Sequence, residues 1–75
     1  MSEHGVVLFH TTSSAFRAER VLIAAGLEAK LIPTPREFSS DCGMALRFDW
    51  GKRERVEELL REAEVEPAGV NAFGQ

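Results

Sequence analysis

Short apolar runs and one alternating segment divide the chain into predicted strands. Residues 6–9, Val-Val-Leu-Phe, are rich in strand-forming side chains and predict a strand at about 5–9. Residues 44–48 carry Met, Leu and Phe at every second position, which predicts a strand with one buried face. Two further strands are expected at about 28–32 and 69–72, so the pattern predicts four strands in all.

Two segments between these strands show helical spacing. In the first, apolar residues recur three or four positions apart and the helix is expected to end at about Ala25. Gly26 then fits the position after a helix, where glycine adopts a positive φ angle at no steric cost. A second helix is expected at about 51–63, with Asp49 as its N-cap. Its polar side is rich in glutamate, which is typical of a solvated surface.

The predicted order β-α-β-β-α-β is that of the ferredoxin-like fold. We therefore expect an α+β domain, with a four-stranded antiparallel sheet and two helices on one face. A chain of 75 residues is enough for one small domain. We expect that domain to span 1–75, with its core at about 5–72 and a tail at 73–75.

The first strand is apolar on both sides, which fits a central position in the sheet. Val6 and Leu8 point to one face, whereas Val7 and Phe9 point to the other. Since two helices cover only one face, the other face is expected to need a cover of its own. A homodimer formed through this open sheet face is one prediction.

Charge and composition exclude several classes of partner. Nine basic and twelve acidic residues give a net charge of −3, which argues against non-specific nucleic-acid binding. No apolar run approaches the roughly 20 residues of a membrane span, and the first residues do not resemble a signal peptide. We therefore expect a cytoplasmic protein with no nucleic-acid or membrane partner. No metal-ligand spacing, phosphate loop, dinucleotide motif or catalytic triad is present, so neither a metal nor another cofactor is predicted.

The segment 33–43 contains two prolines, a glycine and several turn formers, which predict a loop. It is longer than the usual hairpin connection of about two to five residues, and long loops in compact domains are often functional. Cys42, the only cysteine of the chain, lies in it. A single cysteine forms no disulfide within its own chain. It is either a reactive thiol, a bridge to another chain or a small buried side chain.

The expected topology brings this loop close to the start of the first helix. The end of the first strand and the loop 33–43 should lie at the same end of the sheet. There the positive end of the helix dipole would favour an anion or a thiolate. The candidate residues around Cys42 are Arg36, Ser39, Ser40, Asp41, Gly43, His10, Thr11 and Thr12. Several also have a simple structural explanation, such as helix capping for the threonines and solvation for the arginine.

The sequence resembles the putative Se/S carrier protein-like family. The features that carry the resemblance are Leu-Ile-Pro-Thr-Pro-Arg at 31–36, Ser-Ser-Asp-Cys-Gly at 39–43, Leu-Arg at 46–47, Phe-His-Thr-Thr at 9–12 and the helix Ala-Phe-Arg-Ala-Glu-Arg-Val-Leu at 15–22. The similarity covers about residues 6–65. It implies a sulfur or selenium atom carried on Cys42 as a persulfide or selenopersulfide, received from a protein donor and passed to a protein acceptor. It also implies that Pro35, Arg36, Ser39 and Gly43 form the cysteine loop, with His10 as a neighbour.

One departure from better-known small sulfur carriers affects the geometry rather than the chemistry. Those carriers have a Cys-Pro pair at the start of a helix, whereas Cys42 precedes Gly43 at the start of a strand.

Three functional hypotheses remain open from the sequence. The first is a sulfur or selenium carrier that uses Cys42. The second is a regulatory module that binds a small ligand or anion at the loop. The third is a protein-interaction subunit that uses the open sheet face, with a structural cysteine. A carrier or binding protein is favoured over an enzyme that turns over a small substrate, and the question of enzymatic activity stays open.

Overall fold

The computed structural model describes residues 3–38 and 43–73. Four of the candidate residues, Ser39, Ser40, Asp41 and Cys42, lie outside this part of the chain. The elements are β1 (His4–Leu8), α1 (Thr12–Ala24), β2 (Ala29–Pro33), β3 (Met44–Asp49), a 3₁₀ turn (Trp50–Lys52), α2 (Arg53–Glu62) and β4 (Gly69–Phe73). The strands form one sheet in the order β2-β3-β1-β4, and every neighbouring pair is antiparallel. The α+β ferredoxin-like prediction is confirmed.

Most element boundaries fall within a residue or two of the predicted ones. Gly26, which follows the C-cap residue Ala25 of α1, has a φ of 86°, so the predicted positive φ is confirmed. β4 continues to Phe73, one residue beyond the predicted end of the core. Neither helix in the described residues is long and apolar enough to cross a membrane.

The start of α2 differs from the prediction. The Asp49 side chain accepts a hydrogen bond from the backbone N–H of Gly51, at 3.1 Å, and so caps the 3₁₀ turn. A short aspartate side chain reaches a backbone N–H two residues ahead, and this local bond starts the tighter turn first. α2 begins only at Arg53, after Lys52, which provides no side-chain cap.

The main core lies between the sheet and the two helices. Its buried residues come from every layer: Val7, Phe9, Ala15, Ala18, Leu22, Leu46, Phe48, Val56, Leu60 and Val65. Burial of these side chains follows the period of each element, with every second residue of a strand and every third or fourth of a helix. We call this side of the sheet the helix face.

Gly5 allows aromatic rings to lie directly against the β1 backbone. A Cβ atom built on Gly5 would lie 2.6 Å from Cζ of Phe48 and equally close to the Trp50 ring. The two rings pack on each other with their centroids 6.0 Å apart, and the Arg53 guanidinium lies 5.3 Å from the centroid of a Trp50 ring. Glycine at position 5 is therefore required by close packing.

The second side of the sheet, which we call the open face, is covered by the chain itself. Val6, Leu8 and Ala45 are buried there although no helix lies over them. Ile32 and two phenylalanines, Phe38 and Phe73, pack against them. These two phenylalanines make an edge-to-face contact, with ring centroids 6.3 Å apart. We call this pair the aromatic clasp, and it accounts for the burial without a second copy. A homodimer through this face stays a prediction.

Candidate functional site at the loop edge

The strand register brings four chain segments to one edge of the sheet. Leu8, the last residue of β1, pairs with Ala45 near the start of β3 and with Gly69 at the start of β4. Pro33, the last residue of β2, pairs with Met44, the first of β3. We call this edge, where β1 and β2 end and β3 and β4 begin, the loop edge. The loop that contains Cys42 leaves and rejoins the sheet here, as the sequence predicted.

The loop has a closed base. The backbone N–H of Thr34 donates to the carbonyl oxygen of Gly43 at 3.0 Å, which extends the β2–β3 ladder one step past Pro33. Gly43 directly follows Cys42 in the sequence. A Cβ built on Gly43 would meet no atom within 4 Å, so the space beside its Cα is open. Apart from contacts with its two chain neighbours, a side chain at position 43 would therefore not be crowded, in contrast to position 5.

The first half of the loop makes a turn and returns to the sheet. The backbone N–H of Phe38 donates to the carbonyl oxygen of Pro35 at 3.0 Å, with Arg36 and Glu37 between them. Arg36 is exposed and Pro35 is half-buried. Phe38 then packs on the open face as half of the aromatic clasp. A fixed turn thus presents the Arg36 side chain to solvent beside the loop edge.

α1 starts at the same edge, and Thr11 is its N-cap. The Thr11 backbone is extended, with φ −138° and ψ 156°, and its Oγ1 accepts a hydrogen bond from the Ser14 N–H at 3.2 Å. Thr11 Oγ1 also donates to the Ser14 hydroxyl at 3.1 Å. The structural explanation of Thr11 as a capping residue is therefore confirmed. Its neighbours His10 and Thr12 are exposed.

Two features of the loop edge carry positive charge, the start of α1 and the Arg36 side chain. The backbone N–H groups of the first helical turn give the start of α1 a partial positive charge, and the first turn of α1 contains no acidic residue to neutralise it. Arg36 adds a full positive charge on the loop, next to the carboxylate of Glu37. Either feature favours a small anion or a thiolate that lies close to it.

The described candidates all lie at the loop edge: His10, Thr11, Thr12, Pro35, Arg36 and Gly43. In the described parts of the chain, no three His, Cys, Asp or Glu side chains come together in a way that could hold a metal ion. The sequence arguments missed the two clasp residues. Phe38 is the only large apolar residue in an otherwise polar loop segment, and that signal could have singled it out.

The geometry defines a small α+β domain with a long loop at the end of the sheet where α1 also starts. A family profile described as Putative Se/S carrier protein-like matches residues 4–71, nearly the whole chain. The protein belongs to this family, which confirms the resemblance seen in the sequence. No curated protein and no solved structure matches the chain.

Proposed function

We propose that this protein carries sulfur or selenium on Cys42 as a persulfide or selenopersulfide. The observation that supports the proposal most strongly is the family match over residues 4–71, which includes the cysteine loop. The chain has one cysteine, so it is the only thiol that could serve as the carrier. The proposal places the protein in the cytoplasm, where thiols are kept reduced.

The proposed transfer consists of two thiolate substitutions. The Cys42 thiolate attacks the terminal sulfur of a persulfide on a donor protein, so that a new S–S bond forms and the donor's S–S bond breaks. The donor leaves as a thiolate, and Cys42 now carries the terminal sulfur. An acceptor thiolate then attacks that sulfur and releases Cys42 as a thiolate. No external oxidant is consumed, and the same scheme holds with selenium as the terminal atom.

Two features of the loop edge support this chemistry. The start of α1 and the Arg36 guanidinium would both increase the thiolate fraction of a nearby cysteine. Exchange between proteins also requires an accessible loop, and the turn at Arg36 is exposed.

Persulfide loading, followed by intact mass, tests the proposal. The wild-type protein and Cys42→Ser are incubated with a low-molecular-weight persulfide donor and then separated from it. We expect a mass gain of one sulfur atom on the wild type, removable by dithiothreitol, and no gain on the variant. Equal loading of both proteins, or no loading of either, would contradict the carrier function. Matching far-UV circular dichroism of the two proteins provides the control for folding.

The pH dependence of alkylation tests the thiolate directly. Native protein is treated with iodoacetamide at a series of pH values, and the labelled fraction is followed by mass. We expect a midpoint below the value of about 8.5 for a free thiol. A cysteine that reacts only in denaturant would instead support a structural role, as in a protein-interaction subunit.

An anion-binding regulatory module is the second candidate, because the start of α1 and Arg36 lie at one edge. In that case phosphate or sulfate would raise the melting temperature equally in the wild type and in Cys42→Ser. Arg36→Gln would remove this effect. Loading at Cys42 without any stabilisation by either anion would favour the carrier.

A further inference from the structure

The two outer strands of the sheet, β2 and β4, differ in how strongly their residues discourage pairing with a strand of another molecule. β2 carries Lys30 within it and Pro33 at its end, and both residues discourage pairing with another strand. β4 reads Gly-Val-Asn-Ala-Phe and has neither a charge nor a proline. Within residues 3–38 and 43–73, no strand pairs with the outer side of β4. Its outward N–H and C=O groups are therefore available to a further strand.

We propose that β4 pairs antiparallel with β4 of a second copy, around a two-fold axis at Asn71. The two four-stranded sheets would then form one continuous sheet of eight strands. This interface is distinct from the open face and leaves the aromatic clasp in place. It does not rest on the proposed carrier function.

The side chains of β4 are complementary to themselves about Asn71. The register with β1 places Gly69, Asn71 and Phe73 on the open face, with Val70 and Ala72 on the helix face. A two-fold axis at Asn71 sets Gly69 opposite the partner's Phe73, and an aromatic ring across from an edge glycine is a favourable pair. Val70 lies opposite the partner's Ala72. The two Asn71 amides face each other, and each provides both donors and an acceptor.

This axis is favoured over an axis one residue earlier in the strand. With the axis at Asn71, all five residues of β4 face residues of the partner's β4. An axis at Val70 would place Phe73 opposite the partner's Pro67, which has no N–H to donate. The neutral strand also brings no like charges together at its centre. These features together favour β4 of a second copy, rather than a strand of an unrelated protein, as the pairing partner of β4.

The surroundings of β4 predict a weak, salt-dependent dimer. A groove between α2 and β4 has Pro67 and Val70 in its lining, and its rim carries Glu57, Glu64 and Glu66 but only one cation, Arg61. Since carboxylates outnumber cations there, two copies repel each other at low ionic strength, and salt screens that repulsion. A five-residue strand contact is also small, so we expect a dissociation constant on the order of 100 µM.

Sedimentation equilibrium tests the proposal, with every protein carrying Cys42→Ser to exclude thiol bridging. We expect a monomer–dimer equilibrium that tightens several-fold from about 20 mM to 500 mM NaCl, where the Debye length falls sharply. Ala72→Glu places a charge on the exposed outer strand and adds to the carboxylate excess there, so it should weaken the dimer at least tenfold. Ala24→Glu makes the same change on the exposed side of α1 and should have no effect on the dimer. A pure monomer at millimolar concentration, or equal effects of both variants, would overturn the proposal.

A crosslink tests the axis itself. In the Cys42→Ser background, Asn71→Cys places two thiols across the two-fold axis, at cross-strand Cβ distances of about 4.5–5.5 Å. Oxidised glutathione should then yield a disulfide-linked dimer at concentrations where Lys30→Cys, on the opposite outer strand, stays monomeric. Crosslinking of Lys30→Cys instead would contradict the proposal, because it would place the interface on the β2 side or on the open face. Thermal unfolding of each variant verifies that it is folded.

Discussion

The two faces of the sheet are buried by different means. The helix face is covered by α1 and α2, and its core draws on strands, helices and connecting residues alike. On the open face, three buried residues lie beneath Ile32 and two phenylalanines, one from the loop and one from the end of β4. The first face depends on repeated patterns along the chain, whereas the second depends on two single side chains. Substitutions on the helix face should therefore lower the free energy of unfolding strongly and at many positions. Substitutions on the open face should lower it less and at few positions.

The largest effect is expected in the helix-face core. Leu46 is fully buried, and Leu46→Ala should lower the free energy of unfolding by about 2–5 kcal/mol, since it removes buried surface and leaves a cavity. Urea unfolding followed by circular dichroism measures the change. Ile23, which is 54% exposed on α1, provides the control, and Ile23→Ala should cost less than about 0.5 kcal/mol. Similar losses for both variants would contradict the difference in burial between these two positions.

The second-largest loss of stability is expected at Gly5, where two aromatic rings lie against the backbone. Gly5→Ala places a methyl group within about 2.6 Å of the Phe48 ring, so the ring and Trp50 must shift. We expect a loss of about 1–3 kcal/mol, as for other overpacked core positions. Gly51→Ala serves as a comparison, because its nearest neighbour, the Asp49 side chain, would be at 3.5 Å. Recovery of stability in Gly5→Ala with Phe48→Leu would assign the loss to this contact.

The aromatic clasp should give a smaller loss of stability and a local change in the loop. Phe38→Ala and Phe73→Ala should each destabilise, and their double-mutant cycle should give a coupling of about 0.5–1.5 kcal/mol for the edge-to-face contact. Limited proteolysis should cut Phe38→Ala in the loop faster than Leu46→Ala, even though the latter is less stable overall. Zero coupling would mean that the two rings are held independently.

Much of this fold follows from residue spacing, and the exceptions have physical causes. The alternation at 44–48 and the spacing in α1 depend on neighbours a few residues apart, so the sequence alone predicted them. The clasp joins Phe38 to Phe73, which are 35 positions apart, and no local period links two such residues. Asp49 was predicted as a cap, but for α2; because an aspartate side chain can cap either kind of turn, the sequence alone did not show that it starts a 3₁₀ turn. The loop edge was predicted because topology alone places it, whereas the surroundings of Cys42 depend on residues 39–42, outside the described part of the chain.

The smallest effect on stability is expected at Thr11. Substitutions there can separate the helix-capping role of this residue from an influence of the helix start on the Cys42 thiol. Thr11→Ala removes the bond to the Ser14 N–H and should cost about 1 kcal/mol. Thr11→Asp keeps a good N-cap, so stability should stay within about 0.5 kcal/mol of the wild type in urea unfolding. It also adds a negative charge where the start of α1 would favour a thiolate. We therefore expect Thr11→Asp to raise the pKa of the Cys42 thiol in the alkylation profile, whereas Thr11→Asn, a neutral cap, should not. Identical profiles for the Asp and Asn variants would show that the helix start and the thiol are too far apart to interact, and Arg36 would then be the remaining source of activation at this edge.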